Sequence, residues 1–177
     1  MKVMIFLHGT AIMHAAAAGR PRAERVRQSS QRDPSVTDYA AYLPTEAAAD
    51  KARAWQQHGA DICYLSSHRA AADARTDGEV LARHGFPAGP VLFRADGEGY
   101  ADVVRRAGAD VVVEDDCESI GGRAKTTTAG LARSPGAAVR CVVVPEFGGL
   151  AHLPDDPAEL GQWPDMPPST ASVMPAM

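Results

Sequence analysis

Four short polar groups in this chain have the residue types that do chemistry. They are His8-Gly9-Thr10, Ser66-Ser67-His68-Arg69, Arg94, and Glu114-Asp115-Asp116, the last followed by Cys117 and Glu118. Each follows an apolar run: residues 3–7 (VMIFL), 60–65 (ADICYL), 90–93 (PVLF) and 110–113 (DVVV). Hydroxyls and a guanidinium bind anionic oxygens, and paired carboxylates hold a hard divalent cation. Together they make a set suited to a phosphate and magnesium or manganese. His8 adds a group able to move a proton near neutral pH.

Every group also has a plainer reading. Asp115 and Asp116 could cap the segment that follows, and Ser66 or Ser67 could cap a helix beginning at residue 70. His8 could be a hydrogen-bonded turn residue, and His68 and Arg69 read best as exposed. His14 and His152 are lone histidines and read as ordinary polar residues. Glu146-Phe147-Gly148-Gly149 could line the same edge after the fifth strand, and reads better as a turn packed by Phe147. Trp55 and Trp163 read as packing residues, since no aromatic–basic interleaving surrounds them.

The elements that must position these groups can be read from the pattern. Residues 3–7 form an unbroken apolar run, which suits a strand buried on both faces in a parallel sheet. Residues 45–58 read as a helix, with Thr45 able to cap it and Gly59 able to end it. Residues 70–84 and 100–107 read as further helices, closed by Gly85 and Gly108. Residues 139–144 (VRCVVV) give a fifth strand, and residues 119–133 stay undecided around Gly121-Gly122. Alternating strands and helices predict an α/β fold, a three-layer α/β/α sandwich on a Rossmann-like parallel sheet. In such a sheet the C-terminal strand ends converge on one edge, where ligands bind.

A long polar insertion, residues 11–44, follows strand 1. It carries Arg20, Arg22, Arg25, Arg27 and Arg32, with Pro21, Ser29, Ser30, Asp33, Pro34 and Ser35 to break any long helix. It reads as a lid over the site or as a solvated loop. The domain is expected over residues 1–154, and residues 155–177, rich in proline, as an irregular tail.

Composition limits the functions open to the chain. A formal net charge of −4 gives no basic field for nucleic acid. Three cysteines without a CxxC pair argue against a zinc knuckle and fit reduced thiols, so a cytoplasmic setting is expected. No apolar stretch approaches the roughly 20 residues of a membrane span. Lys2 and the apolar run after it look like a signal peptide, but His8, Gly9 and His14 interrupt the apolar region.

The order of the four groups resembles the haloacid dehalogenase-like (HAD) superfamily over residues 2 to 120. Phe6-Leu7-His8-Gly9-Thr10 corresponds to a first motif Asp-x-Asp-Gly-Thr, and Ser66, with Ser67 as alternative, to a second-motif hydroxyl. Arg94 corresponds to a basic third motif, and the acids of Val-Val-Val-Glu-Asp-Asp to a fourth. The resemblance implies a central first strand flanked by the second and fourth. It also implies catalytic roles for His8, Ser66, Arg94 and Asp115, and substrate contacts from Gly9, Thr10 and Ser67. A divalent cation would be held by Asp115 and Asp116, with His8 replacing a carboxylate. The nucleophilic Asp falls on Phe6, which can neither attack phosphorus nor ligate a metal, so ordinary phosphatase activity is not expected. Two functions remain open. One is a hydrolase of non-standard chemistry, handling a phosphorylated or other anionic small molecule with His8 as acid/base. The other is a catalytically degenerate protein that binds a ligand or a partner.

Overall fold

A computed structural model describes residues 1–133 and 138–163. Its centre is a sheet of five parallel strands: β1 (Lys2–Phe6), β4 (Asp61–Leu65), β5 (Val91–Leu92), β6 (Val111–Asp115) and β7 (Arg140–Val144). Their order is β5-β4-β1-β6-β7. The first strand is central, as expected, with Val3 in register with Ile62 on one side and with Val111 on the other. The chain builds outward in one direction from β1 and then returns to build in the other. The crevice between β1 and β6 is therefore the switch point, where open α/β sheets bind ligands.

Alternation along the strands explains the three layers. Val3, Ile5 and Leu7 face one side with Ile62, Tyr64, Val111 and Val113. There they meet Ala48, Ala52 and Trp55 of α2 (Ala48–Gln57), Val80 and Leu81 of α3 (Ala71–Arg83), and Leu160 of α6 (Pro157–Leu160). Met4 and Phe6 face the other side with Cys63, Leu65 and Val112. That face is covered by Val103 and Val104 of α4 (Tyr100–Ala107) and Leu131 of α5 (Thr127–Ala132).

Some expectations are corrected. Thr45 does not cap α2: the N-cap is Ala47, and the Thr45 hydroxyl donates instead to the Thr10 carbonyl at 2.6 Å. Neither Ser66 nor Ser67 caps α3, whose N-cap is Ala70. The region assigned as irregular from residue 155 contains α6, because Pro157 and Leu160 are buried and Asp156 caps the turn. Residues 164–177 lie outside the described residues. The insertion is structured. It contains α1 (Arg22–Ser30), and an antiparallel pair, β2 (Ile12–Met13) with β3 (Leu43–Pro44), closes its base.

Candidate functional site

The turn after β1 brings the first polar group to the sheet edge. The amides of Thr10, Ala11 and Ile12 all donate to the Leu7 carbonyl, at 2.9–3.2 Å, which folds the chain back sharply. Gly9 makes the turn with φ +92°, and a Cβ there would lie 2.9 Å from Asp115 Oδ2 and 3.1 Å from Glu146 Cγ. Only glycine lets the β1 turn approach the β6 end this closely.

Above this turn lies a cavity of about 210 Å³. Phe6, His8 and Gly9 line it from β1, Ser67 from the β4 end, Tyr100 from α4, and Glu114 and Asp115 from β6. The insertion supplies the roof with His14, Ser29, Val36, Tyr39 and Tyr42. Among the described residues, Lys125 is the one Lys or Arg on the wall.

His8 belongs to the β4 side of this cavity. A carboxylate only accepts, so His8 Nε2–H donates to Asp77 Oδ1 at 3.0 Å. In a neutral ring Nδ1 is then the acceptor, and the Ser67 hydroxyl lies 2.7 Å away. Asp77 is fully buried on α3, and its other oxygen accepts from the Ser66 hydroxyl at 2.6 Å. The His68 ring packs edge-on to His8 at 4.8 Å and to Tyr39 at 4.2 Å. His68 Nε2 is 3.7 Å from Asp77 Oδ1, too long for a hydrogen bond, and it is buried without a partner. Leaving such an atom unpaired costs about 1–3 kcal/mol. Burial, and then neighbouring His8, hold the His68 imidazole below its usual pKa.

The acids form a second group on the β6 side. Asp115 Oδ2 accepts from the Thr10 hydroxyl at 2.8 Å, and Oδ1 from the Cys117 amide at 2.8 Å. Burial first, and then the Glu146 carboxylate, push Asp115 up to about 7. Burial also raises Glu146, against the lowering effect of two bonds from Ser119, at 2.6 and 2.7 Å. Asp115, Asp116 and Glu146 each offer an oxygen, and all three lie within 4.8 Å of one another. Carboxylates crowded in this way relieve their repulsion by taking up a proton or a cation. An all-oxygen donor set fits a hard cation such as magnesium or manganese.

The structure divides the residues expected from sequence. His8, Gly9, Ser67 and Asp115 line the cavity; Thr10, Ser66, Arg94 and Asp116 are not among its lining residues. Thr10 and Ser66 each brace an acid from behind. Arg94 Cζ lies 4.0 Å over the Tyr100 ring and Nη2 donates to the Ser67 carbonyl at 3.1 Å, while Nε is buried without a hydrogen-bond partner. His8 groups with His68 and Asp77, not with Asp115 and Asp116, which separates the expected set of three metal ligands. His68, expected to be exposed, has only 10% of its side chain accessible. The insertion arginines are used structurally: Arg22 donates to the Glu146 carbonyl, Arg25 to that of Phe147, and Arg27 pairs with Glu24. Sequence reading missed Asp77, which lies inside a helix, and preferred a packed turn for Glu146 over a place at the same edge.

No protein-family model matches the sequence, and no curated protein matches it. Solved structures share its fold. A chain of the Pnkp1/Rnl/Hen1 complex superposes with a TM-score of 0.51 at 15% identity, over 82% of this chain and 46% of that one. The present chain thus spans about half the length of that relative. The class C acid phosphatase from Bacillus anthracis with tungstate bound superposes with a TM-score of 0.52 at 12% identity, over 84% and 68% of the two chains. At such identities the likeness shows the fold alone. Among the described residues, no helix is long and apolar enough to cross a membrane.

Proposed function

We propose that this chain is an HAD-like protein that binds a small phosphorylated or otherwise anionic molecule at the β1–β6 switch point and lacks aspartyl-phosphate chemistry. Phe6 carries this reading. It stands where the nucleophilic carboxylate would be, lines the cavity, and packs edge-on against Tyr100 at 5.2 Å. A phenyl ring provides neither nucleophile nor metal ligand. Asp115, Asp116 and Glu146 would hold a magnesium or manganese ion, whose charge would draw an anion past the buried carboxylates. Lys125 would supply a second positive charge on the wall.

A second reading keeps catalysis, and the Ser67–His8–Asp77 chain favours it. Asp77 orients the imidazole, and His8 Nδ1 is placed to take a proton from the Ser67 hydroxyl, the arrangement of an activated nucleophile with its base and orienting acid. His8 then serves as acid/base through Ser67.

One set of assays tests both readings. Hydrolysis of para-nitrophenyl phosphate with magnesium is expected at background. Calorimetric binding of inorganic phosphate should strengthen when manganese is present, and Asp115→Asn with Asp116→Asn should remove that gain. Turnover abolished by both His8→Ala and Ser67→Ala selects the second reading. Phosphate binding indifferent to manganese refutes the first.

A further inference from the structure

We propose that His8, His68 and Asp77 form a binding site for a divalent transition metal of the zinc class, separate from the acidic group at Asp115. The inference goes beyond the proposed function and does not depend on it.

The geometry is that of two imidazoles and one carboxylate. The three side chains each offer one ligand atom, all within 4.8 Å of one another. His8 Nε2 is 3.0 Å and His68 Nε2 3.7 Å from Asp77 Oδ1. Metal–nitrogen bonds of about 2.0–2.1 Å place neighbouring donor atoms roughly 2.9–3.4 Å apart around an octahedral or tetrahedral ion. The 3.0 Å separation falls inside that range and the 3.7 Å separation lies just beyond it, so binding needs a small movement of the His68 ring.

A second observation points to a ligand independently. His68 Nε2 is buried, faces Asp77 and has no hydrogen-bond partner. Both His8 ring nitrogens and both Asp77 oxygens have hydrogen-bond partners, and a cation would give the His68 atom its missing one. The surroundings are also those of a prepared metal site. Once Nε2 binds a cation, His8 Nδ1 carries the proton and donates to Ser67 Oγ, at the observed 2.7 Å. The second Asp77 oxygen is held by the Ser66 hydroxyl at 2.6 Å. Such outer bonds fix the tautomer and orientation of metal ligands. Tyr39 and Tyr42 pack edge-on against His8, at 6.0 and 5.5 Å, and limit access of water.

Imidazole nitrogen selects zinc, cobalt or ferrous iron over magnesium and calcium. Three protein ligands leave a position open for water or a donor atom of a small molecule. His8 also lines the cavity, so the cation and the cavity share a wall.

The test uses the full chain, stripped with a chelator and then titrated with zinc against a chromophoric competitor. Cobalt is titrated in parallel for its visible spectrum. One equivalent of zinc is expected, with cobalt bands typical of nitrogen and oxygen ligation and no thiolate charge-transfer band from the three free cysteines. His68→Gln and Asp77→Asn should each weaken zinc binding at least 100-fold, whereas His58→Gln and His152→Gln should leave it unchanged. Circular dichroism checks each variant. If Asp77→Asn fails to fold, His68→Gln decides, because the His68 ring makes no hydrogen bond whose loss would unfold the chain. Zinc binding that survives His68→Gln, or that is absent from the parent chain, overturns the proposal. Loss of phosphate binding alone bears only on the function proposed above.

Discussion

Replacing Asp115 with Asn should stabilise the metal-free protein by an amount that grows as pH rises toward 7 and then levels off. The Asp115 carboxyl is 2% exposed and is pushed from 3.8 up to about 7 by burial and by Glu146. Between those two values the native state holds a proton that the unfolded state has released. Stability therefore falls as pH rises across that window and levels off above it. Each pKa unit corresponds to about 1.36 kcal/mol, so ionising Asp115 in the folded chain costs about 4 kcal/mol. Asn carries no such charge, and it can still accept from the Cys117 amide and pair with the Thr10 hydroxyl, at a loss of about 1 kcal/mol. The variant should be level with the parent or slightly weaker at pH 4.5, and about 3 kcal/mol more stable at pH 8. At roughly 2–4 °C per kcal/mol for a domain of this size, the midpoint should rise by about 10 °C at pH 8. Thermal and urea unfolding of chelator-treated protein at pH 4.5, 6 and 8 measures the difference. A gap between variant and parent that does not change with pH would refute the reasoning.

Gly9→Ala forces a Cβ to within 2.9 Å of Asp115 Oδ2 at a φ of +92°, and should destabilise the chain by about 1–3 kcal/mol in urea titrations. Glu114→Gln replaces a carboxylate that accepts from the Thr127 and Thr128 amides at 3.0 and 2.8 Å. A loss of about 1–3 kcal/mol is expected, with faster amide exchange localised to the first turn of α5. Trp55→Ala empties a fully buried site and removes the indole bond to the Pro154 carbonyl. It should cost about 3–5 kcal/mol by urea denaturation.

The sheet was legible because its strands are apolar on both faces and stop at polar residues. β4, β6 and β7 each lie within one or two residues of the runs in the sequence, and α4 coincides with its expected span. The β1 turn and the β6 acids were legible for the same reason: position at a strand end announces a site. α1 was not legible, because it buries no residue and is held by arginines reaching distant carbonyls. Asp77 and His68 were hidden for a related reason. An acid within a helix looks solvated in sequence, and only the packing of α3 against the sheet edge places it 3.0 Å from a histidine 69 positions away. Arg94 was legible as a cation after a strand, but not its place over the Tyr100 ring, which only the packing of α4 supplies.

The short β2–β3 pair has an evolutionary consequence. Ile12 pairs with Pro44, and the Thr45 amide donates to the Ala11 carbonyl, so the chain leaves the sheet and returns to it at one place. Everything between is a closed excursion whose two ends are already joined. Lengthening such an excursion adds little closure entropy, about 0.6 kcal/mol per doubling. Residues 14–42 can therefore change in length at little closure cost, with Tyr42 in the core and the Arg22 and Arg25 bonds to the Glu146 and Phe147 carbonyls as the ties that must be kept or replaced. His14, Val36, Tyr39 and Tyr42 all lie within that segment. Descendants of this chain could change what they recognise by replacing the roof, while inheriting the β1 turn, the β6 acids and the His8–Asp77 contact unaltered.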